Sequence, residues 1–175
     1  MHLRAFFASA SSILMATSCA TSQPSLSTVP SVDLDRFMGE WYVIANIPTL
    51  LERGAHNAVE SYRLNENGTI ATTFTYRKNG FDGPRKEYHP TGFVLDEESN
   101  ALWGMEFLWP IKADYRVIYL TPDYSQTVIG RNKRDYVWYM ARTPSVSEED
   151  YEKVSRFIAE SGYDISRLQK VPQRW

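Results

Sequence analysis

Tyr136-Val137-Trp138-Tyr139-Met140-Ala141-Arg142-Thr143 is followed, after three residues, by Ser147-Glu148-Glu149-Asp150-Tyr151-Glu152-Lys153-Val154-Ser155-Arg156-Phe157-Ile158. In the first stretch strand alternation puts Trp138 and Met140 on one face and Val137, Tyr139 and Ala141 on the other. A strand that is apolar on both faces must be covered on both. The second stretch provides one cover. Ser147 caps a helix, and Glu148, Glu149 and Asp150 sit at its positive end. Tyr151, Val154, Phe157 and Ile158 then share one face, and Gly162 ends it. The other cover has to come from the rest of the sheet. This pair of segments therefore predicts a sheet closed on itself, with one helix on its outer wall.

Seven more strand-like runs precede this one: 41–46, 57–64, 70–77, 86–95 interrupted by Pro90, 102–108, 115–121 and 127–131. Turns such as Asn65-Glu66-Asn67-Gly68 and Asn79-Gly80 separate them; Asn and Gly tolerate positive φ. Many short strands joined by turns argue a sandwich or barrel. Asp33 can cap a helical turn over 34–37, and 165–171 can add a last strand. Alternation assigns the inner face: Thr72, Phe74 and Tyr76; Trp103, Met105 and Phe107; Tyr115, Val117 and Tyr119, because Arg116 opposite prefers water; Trp138 and Met140. With Tyr62 and Leu64 inward, Glu60 falls on the same face. It is then either a polar handle for a ligand head group, or a solvated residue of the mouth, or turned outward by a local bulge. An eight-stranded barrel interior can be filled by side chains or hold one small molecule, and large inward aromatics fit both.

Composition restricts function more than fold. The net charge is −2, which provides no basic field and argues against nucleic acid as a partner. The aromatic share of 14% suits sheets and apolar cavities. His2, His56 and His89 form no metal-ligand spacing. Neither a nucleophile elbow nor a glycine-rich phosphate loop is present. No metal, no cofactor and no catalytic residue is expected.

The N-terminus reads separately. Arg4, the apolar run 5–16 and the small residues Ala16-Thr17-Ser18 make a secretory signal over 1–18. The run is shorter than the about 20 residues a spanning helix needs. Cys19, the only cysteine, follows directly and resembles the lipid-accepting cysteine of a bacterial lipoprotein, with Ala16 where that signal usually carries Leu. The alternative is an ordinary signal peptide with an incidental cysteine. The Ser/Thr/Pro-rich stretch over 19–32 reads as a flexible, lipid-anchored tether, and 33–175 as the folded domain.

Phe37-Met38-Gly39-Glu40-Trp41-Tyr42, Thr121-Pro122-Asp123-Tyr124 and Tyr139-Met140-Ala141-Arg142-Thr143-Pro144, in that order and spacing, resemble the signature regions of lipocalins. Leu51-Glu52-Arg53-Gly54, Arg134-Asp135-Tyr136-Val137-Trp138 and Gly162-Tyr163-Asp164 resemble the bacterial outer-membrane lipoprotein members. Pro122 interrupts the usual Thr-Asp-Tyr. The resemblance implies an all-β fold: an eight-stranded antiparallel up-and-down barrel with one C-terminal α-helix packed outside. It implies structural roles for Gly39, Trp41, Asp123, Tyr124 and Arg142, with the Arg142 guanidinium over Trp41 at the closed end. It further implies a protein that binds a fatty acid or lysophospholipid, faces the periplasm from the outer membrane, and in some members pairs as a homodimer. A lipid-converting enzyme in the same barrel and an envelope protein with a filled core are the competing readings.

Overall fold

The computed structural model describes residues 24–175. The expected signal segment, Cys19 and the first residues of the tether lie outside the described residues. After α1 (Leu34–Phe37), the chain forms β1 (Gly39–Ile47), β2 (Ala55–Leu64), β3 (Thr69–Lys78), β4 (Arg85–Tyr88), β5 (Thr91–Val94), β6 (Leu102–Leu108), β7 (Ile111–Leu120), β8 (Gln126–Gly130) and β9 (Val137–Ala141). Then follow α2 (Glu148–Glu160), a 3₁₀ turn (Ile165–Arg167) and β10 (Gln169–Lys170). Neighbouring strands are antiparallel, and β9 pairs back onto β1 from Ile47↔Val137 to Tyr42↔Ala141. Closure removes the free sheet edge. His89-Pro90 divides the expected fourth strand: β4 pairs with β3 alone, while β5 joins β3 to β6. Taken as one strand, β4 and β5 make the barrel eight-stranded.

The interior and the outer wall are separate apolar clusters. Trp138 and Met140 of β9 belong to the inner one, and Val137, Tyr139 and Ala141 to the outer. Val154 and Ile158 of α2 are buried against that outer face, with Tyr151 and Phe157 beside them. Ser147 caps α2 by accepting from Asp150 N, and Asp33 caps α1 by accepting from Arg36 N.

Three expectations need correction. Residues 24–32 are not a loose tether. Leu26 and Val32 are buried, Leu26 N donates to Asn132 Oδ1 (2.8 Å), Val29 N to Val117 O (2.9 Å) and Val32 N to Ser99 O (2.7 Å). Three apolar residues spaced by three suffice to lay the segment along the barrel, despite its polar composition. Tyr119 also does not face inward. The β7–β8 register shifts between Val117↔Ile129 and Tyr119↔Val128, so one extra residue in β7 inverts the alternation beyond it. Ile118 and Tyr119 both join the outer cluster, and Tyr119 packs on Phe157 at 5.2 Å between ring centroids. The last expected strand contracts to two residues, because Asp164 caps a 3₁₀ turn before it.

One end of the barrel is closed by side chains. Phe37, Trp41, Tyr62 and Trp103 are buried together, with Phe37 at 5.0 Å from Trp41 and 5.4 Å from Trp103. The Arg142 guanidinium lies 3.8 Å over the Trp41 ring. Its Nη2 donates to the carbonyls of Arg36, Phe37 and Met38, and Nη1 to that of Glu40. Gly39 has φ +95°, and a Cβ there would stand 3.3 Å from Arg142 Nη1. Beside it, Asp33 N donates to the Tyr124 hydroxyl and Arg36 stacks on the Tyr124 ring. Asp123 accepts from Ser125 N and Oγ. All five signature residues thus serve the closed end or its turns.

Removing a charged donor shared by four carbonyls leaves several acceptors poorly satisfied. Arg142→Ala should lower unfolding free energy by about 2–4 kcal/mol in urea titrations. Arg142→Lys should recover less than half, since an ammonium cannot reproduce the planar fork. The ligand affinity of the folded fraction should stay within about twofold of the parent.

Candidate ligand-binding site

Above the aromatic plug the barrel is hollow. A cavity of about 190 Å³ is lined by Phe74 on β3, Tyr88 on β4, Met105 and Phe107 on β6, Tyr115 on β7 and Trp138 on β9. This exceeds the about 150 Å³ apolar cavity that accepts benzene in a protein core. Its mouth is marked by Leu51 and Phe107, which are 53% and 59% exposed. Sheet alternation explains the wall: each strand contributes every second residue, and the aromatic ones leave a rigid surface.

The inward residues expected from sequence divide by depth. Phe74, Met105, Phe107, Tyr115 and Trp138 line the cavity. Trp103, Val117 and Met140 are fully buried in the inner cluster without lining it. Trp103 stacks on Tyr115 at 5.5 Å and supports it from the plug. Tyr76 belongs to the inner cluster without lining the cavity; its ring packs against Phe74 and Tyr88, and its hydroxyl donates to Leu51 O. Tyr119 is outside. Val117 faces inward but does not line the cavity; Ala113, two residues before Tyr115 in the same strand, lines it instead.

Glu60 is the polar feature of the site. It is only 7% exposed and lines the cavity, so it is not a solvated residue of the mouth. Its Oε2 accepts from the Tyr62 hydroxyl and, at 3.3 Å, from the Tyr115 hydroxyl; the two phenols also bond to each other. Oε1 has no protein donor among the described residues. Burial, and next the bonds from Tyr62, set its acidity: desolvation dominates and pushes the carboxyl up to about 7, and the nearby Glu52 adds to the rise. Both tyrosines are pushed well above their ordinary range, first by burial and then by Glu60.

Sequence reasoning missed Glu52 as a member of the site. It is buried in the loop between β1 and β2, where Oε1 accepts from Trp138 Nε1 (2.7 Å) and Oε2 from Thr49 N (2.7 Å). Burial raises its acidity range against those two bonds. No periodicity marks a loop residue as inward; only the family-like Leu51-Glu52-Arg53-Gly54 pointed to this stretch. Arg131 is the cationic side chain among the cavity residues. Its guanidinium is turned to Asp135 (3.5 Å) and lies over the Tyr136 ring.

A buried carboxyl with a raised folded-state value ties stability to pH. An unfolded glutamate ionises near 4.5 and the folded Glu60 near about 7. Between these values the folded chain keeps a proton that the unfolded chain has lost, so stability falls as pH rises through the window. Glu52 acts in the same direction. The parent should lose about 3 kcal/mol relative to Glu60→Gln between the two ends of that window, read from urea midpoints.

Comparison with known proteins agrees with this geometry. The profile of the lipocalin-like domain matches residues 32–173. Temperature-induced lipocalin-1 of Arabidopsis thaliana is 32% identical over 165 residues, covering 87% of this chain and 86% of that protein. The outer membrane lipoprotein Blc of Escherichia coli K12 is 25% identical over 175 residues, covering 99% and 98%. Among solved structures, insecticyanin from the tobacco hornworm Manduca sexta superposes with a TM-score of 0.65 at 14% identity, covering 85% of this chain and 84% of that one. An antiparallel barrel hollow above an arginine-braced plug, matched over nearly its whole length to that domain, belongs to the lipocalin family.

Proposed function

We propose that this chain is a lipid-binding lipoprotein that stores or carries fatty acids or lysophospholipids for maintenance of a bacterial envelope. The observation that carries the proposal is the apolar cavity with its open mouth. Each buried CH₂ of an acyl chain contributes roughly 0.8 kcal/mol, so a chain of about 12 buried carbons outweighs the cost of ordering it. A head group can stay wet at the mouth. The site works by binding; no step of bond making or breaking is needed to account for its residues.

The N-terminus and the relatives support a place at an outer membrane. Cys19 after Ala16-Thr17-Ser18 would be the acylated first residue of the mature protein, once 1–18 is removed. The likeness to relatives named outer membrane lipoproteins over nearly the full chain supports this. Acyl anchoring at two or more chains is stable where one is marginal. With 24–32 docked on the barrel, only residues 20–23 separate Cys19 from the docked segment, a spacing that would hold the protein close to the periplasmic face of an outer membrane.

Saturable quenching or shifting of tryptophan fluorescence by lysophospholipid or fatty acid is the expected signal. Trp138→Phe should remove most of it, and Trp103→Phe should leave it, because Trp103 lies in the plug. Ala113→Trp should abolish binding with an unchanged urea midpoint. Parent-like titrations from both Trp138→Phe and Ala113→Trp would mean that the barrel core is filled. Separately, Cys19→Ala should move the protein from the membrane fraction to the soluble periplasm and end palmitate labelling; continued membrane fractionation with label would exclude Cys19 as the anchor.

A further inference from the structure

The wall of the cavity is apolar, but Glu60 at the level of the plug is not. Glu60 Oε2 is satisfied by two phenols, whereas Oε1 faces the cavity with no protein donor among the described residues. An acceptor that opens onto an apolar cavity without a protein donor is a ready partner for a ligand that brings one. The groups around it decide which ligand. Glu52 from the β1–β2 loop, Tyr62 on β2 and Tyr115 on β7 face it, and Asp114 lines the cavity as well. Arg131 lies 3.5 Å from Asp135, with no hydrogen bond from its Nε among the described residues, and is not among the groups that act on Glu60. An anionic ligand terminus at Glu60 would therefore meet carboxyl groups and phenols, with no cation beside them among the described residues.

Accordingly, we propose that the cavity selects an elongated apolar ligand bearing a hydrogen-bond donor, a hydroxyl or protonated amine, on the end that reaches Glu60, and rejects a carboxylate at that position. This rests on the lipid-binding reading above and narrows it. A plain fatty acid enters tail first and lays its methyl end over Glu60 Oε1 without a bond. The same chain with a terminal hydroxyl donates to Oε1 and loses nothing at the mouth. In a cavity with an apolar floor the hydroxyl would weaken binding instead, because it would be desolvated without a partner.

The test compares dodecanoate, 12-hydroxydodecanoate, 12-aminododecanoate and dodecanedioate, which share the mouth-side carboxylate and differ only at the far end. Isothermal titration of the full-length protein at about pH 8 keeps Glu60 mostly ionised. The hydroxy and amino chains should bind about tenfold more tightly than dodecanoate, and dodecanedioate at least about tenfold more weakly. Glu60→Leu leaves Tyr62 and Tyr115 bonded to one another, and should invert the order of dodecanoate and the hydroxy chain. Glu60→Gln should keep the preference for the hydroxyl and lose that for the amine. Dodecanoate binding the parent at least as tightly as 12-hydroxydodecanoate overturns the proposal alone. Failure of every chain to bind overturns the lipid-binding reading, and this inference with it.

Discussion

The guanidinium of Arg142 is where the two ends of the sheet are tied together. It leaves the end of β9, lies flat on Trp41 of β1 and takes up the carbonyls of Arg36, Phe37, Met38 and Glu40. Helix-end carbonyls lack intrahelical partners; Phe37 O also accepts from Trp41 Nε1 (2.8 Å), and one planar cation serves the remaining carbonyls at the seam. The contact requires a residue without a Cβ at the turn into β1, and Gly39 at φ +95° meets that requirement. With the seam held there, Phe37, Tyr62 and Trp103 pack as a plug.

The plug divides the interior into two regimes. Below, aromatic rings meet edge to face at core density and hold the fold together. Above, the same alternation of side chains lines empty space, with the rings of Phe74, Tyr115 and Trp138 on its wall. Trp103 under Tyr115, and Tyr62 bonded to Glu60, carry the rigidity of the lower region into the site. Preorganisation of this kind lowers the ordering cost of binding. In the proposed binding mode the apolar wall would supply affinity in proportion to buried chain, and the two buried glutamates would supply the polar contrast between its ends.

The outside of the barrel is treated unevenly. One wall is sealed by α2, where Val154 and Ile158 cover Tyr139 and its neighbours, and by the segment around Leu26. At the tip of the β6–β7 hairpin, by contrast, Phe107, Leu108, Trp109 and Ile111 remain exposed, and Leu50 and Leu51 are exposed in the β1–β2 loop. Several exposed apolar side chains thus gather at the β6–β7 hairpin tip and in the β1–β2 loop, both of which contribute to the cavity lining.

Strand alternation was legible in the sequence wherever a strand is regular: Thr72, Phe74 and Tyr76, or Trp138 and Met140 against Val137 and Tyr139, fall on the faces their spacing dictates. The capped amphipathic helix and the Gly-x-Trp-Tyr with its distant Arg were legible too, because caps, periodicity and special backbone positions are local properties. What was not local was not legible. Tyr119 turned outward because a single extra residue in β7 reversed the alternation, and a bulge depends on the partner strand. Glu52 entered the site from a loop, where no period exists, and 24–32 docked because free surface on the barrel met three spaced apolar side chains. The depth of each inward residue was likewise decided by tertiary structure alone. Period two states which face a side chain takes, but whether it fills the plug, as Trp103 does, or faces open space, as Trp138 does, depends on how far along the closed barrel axis its neighbours from other strands meet.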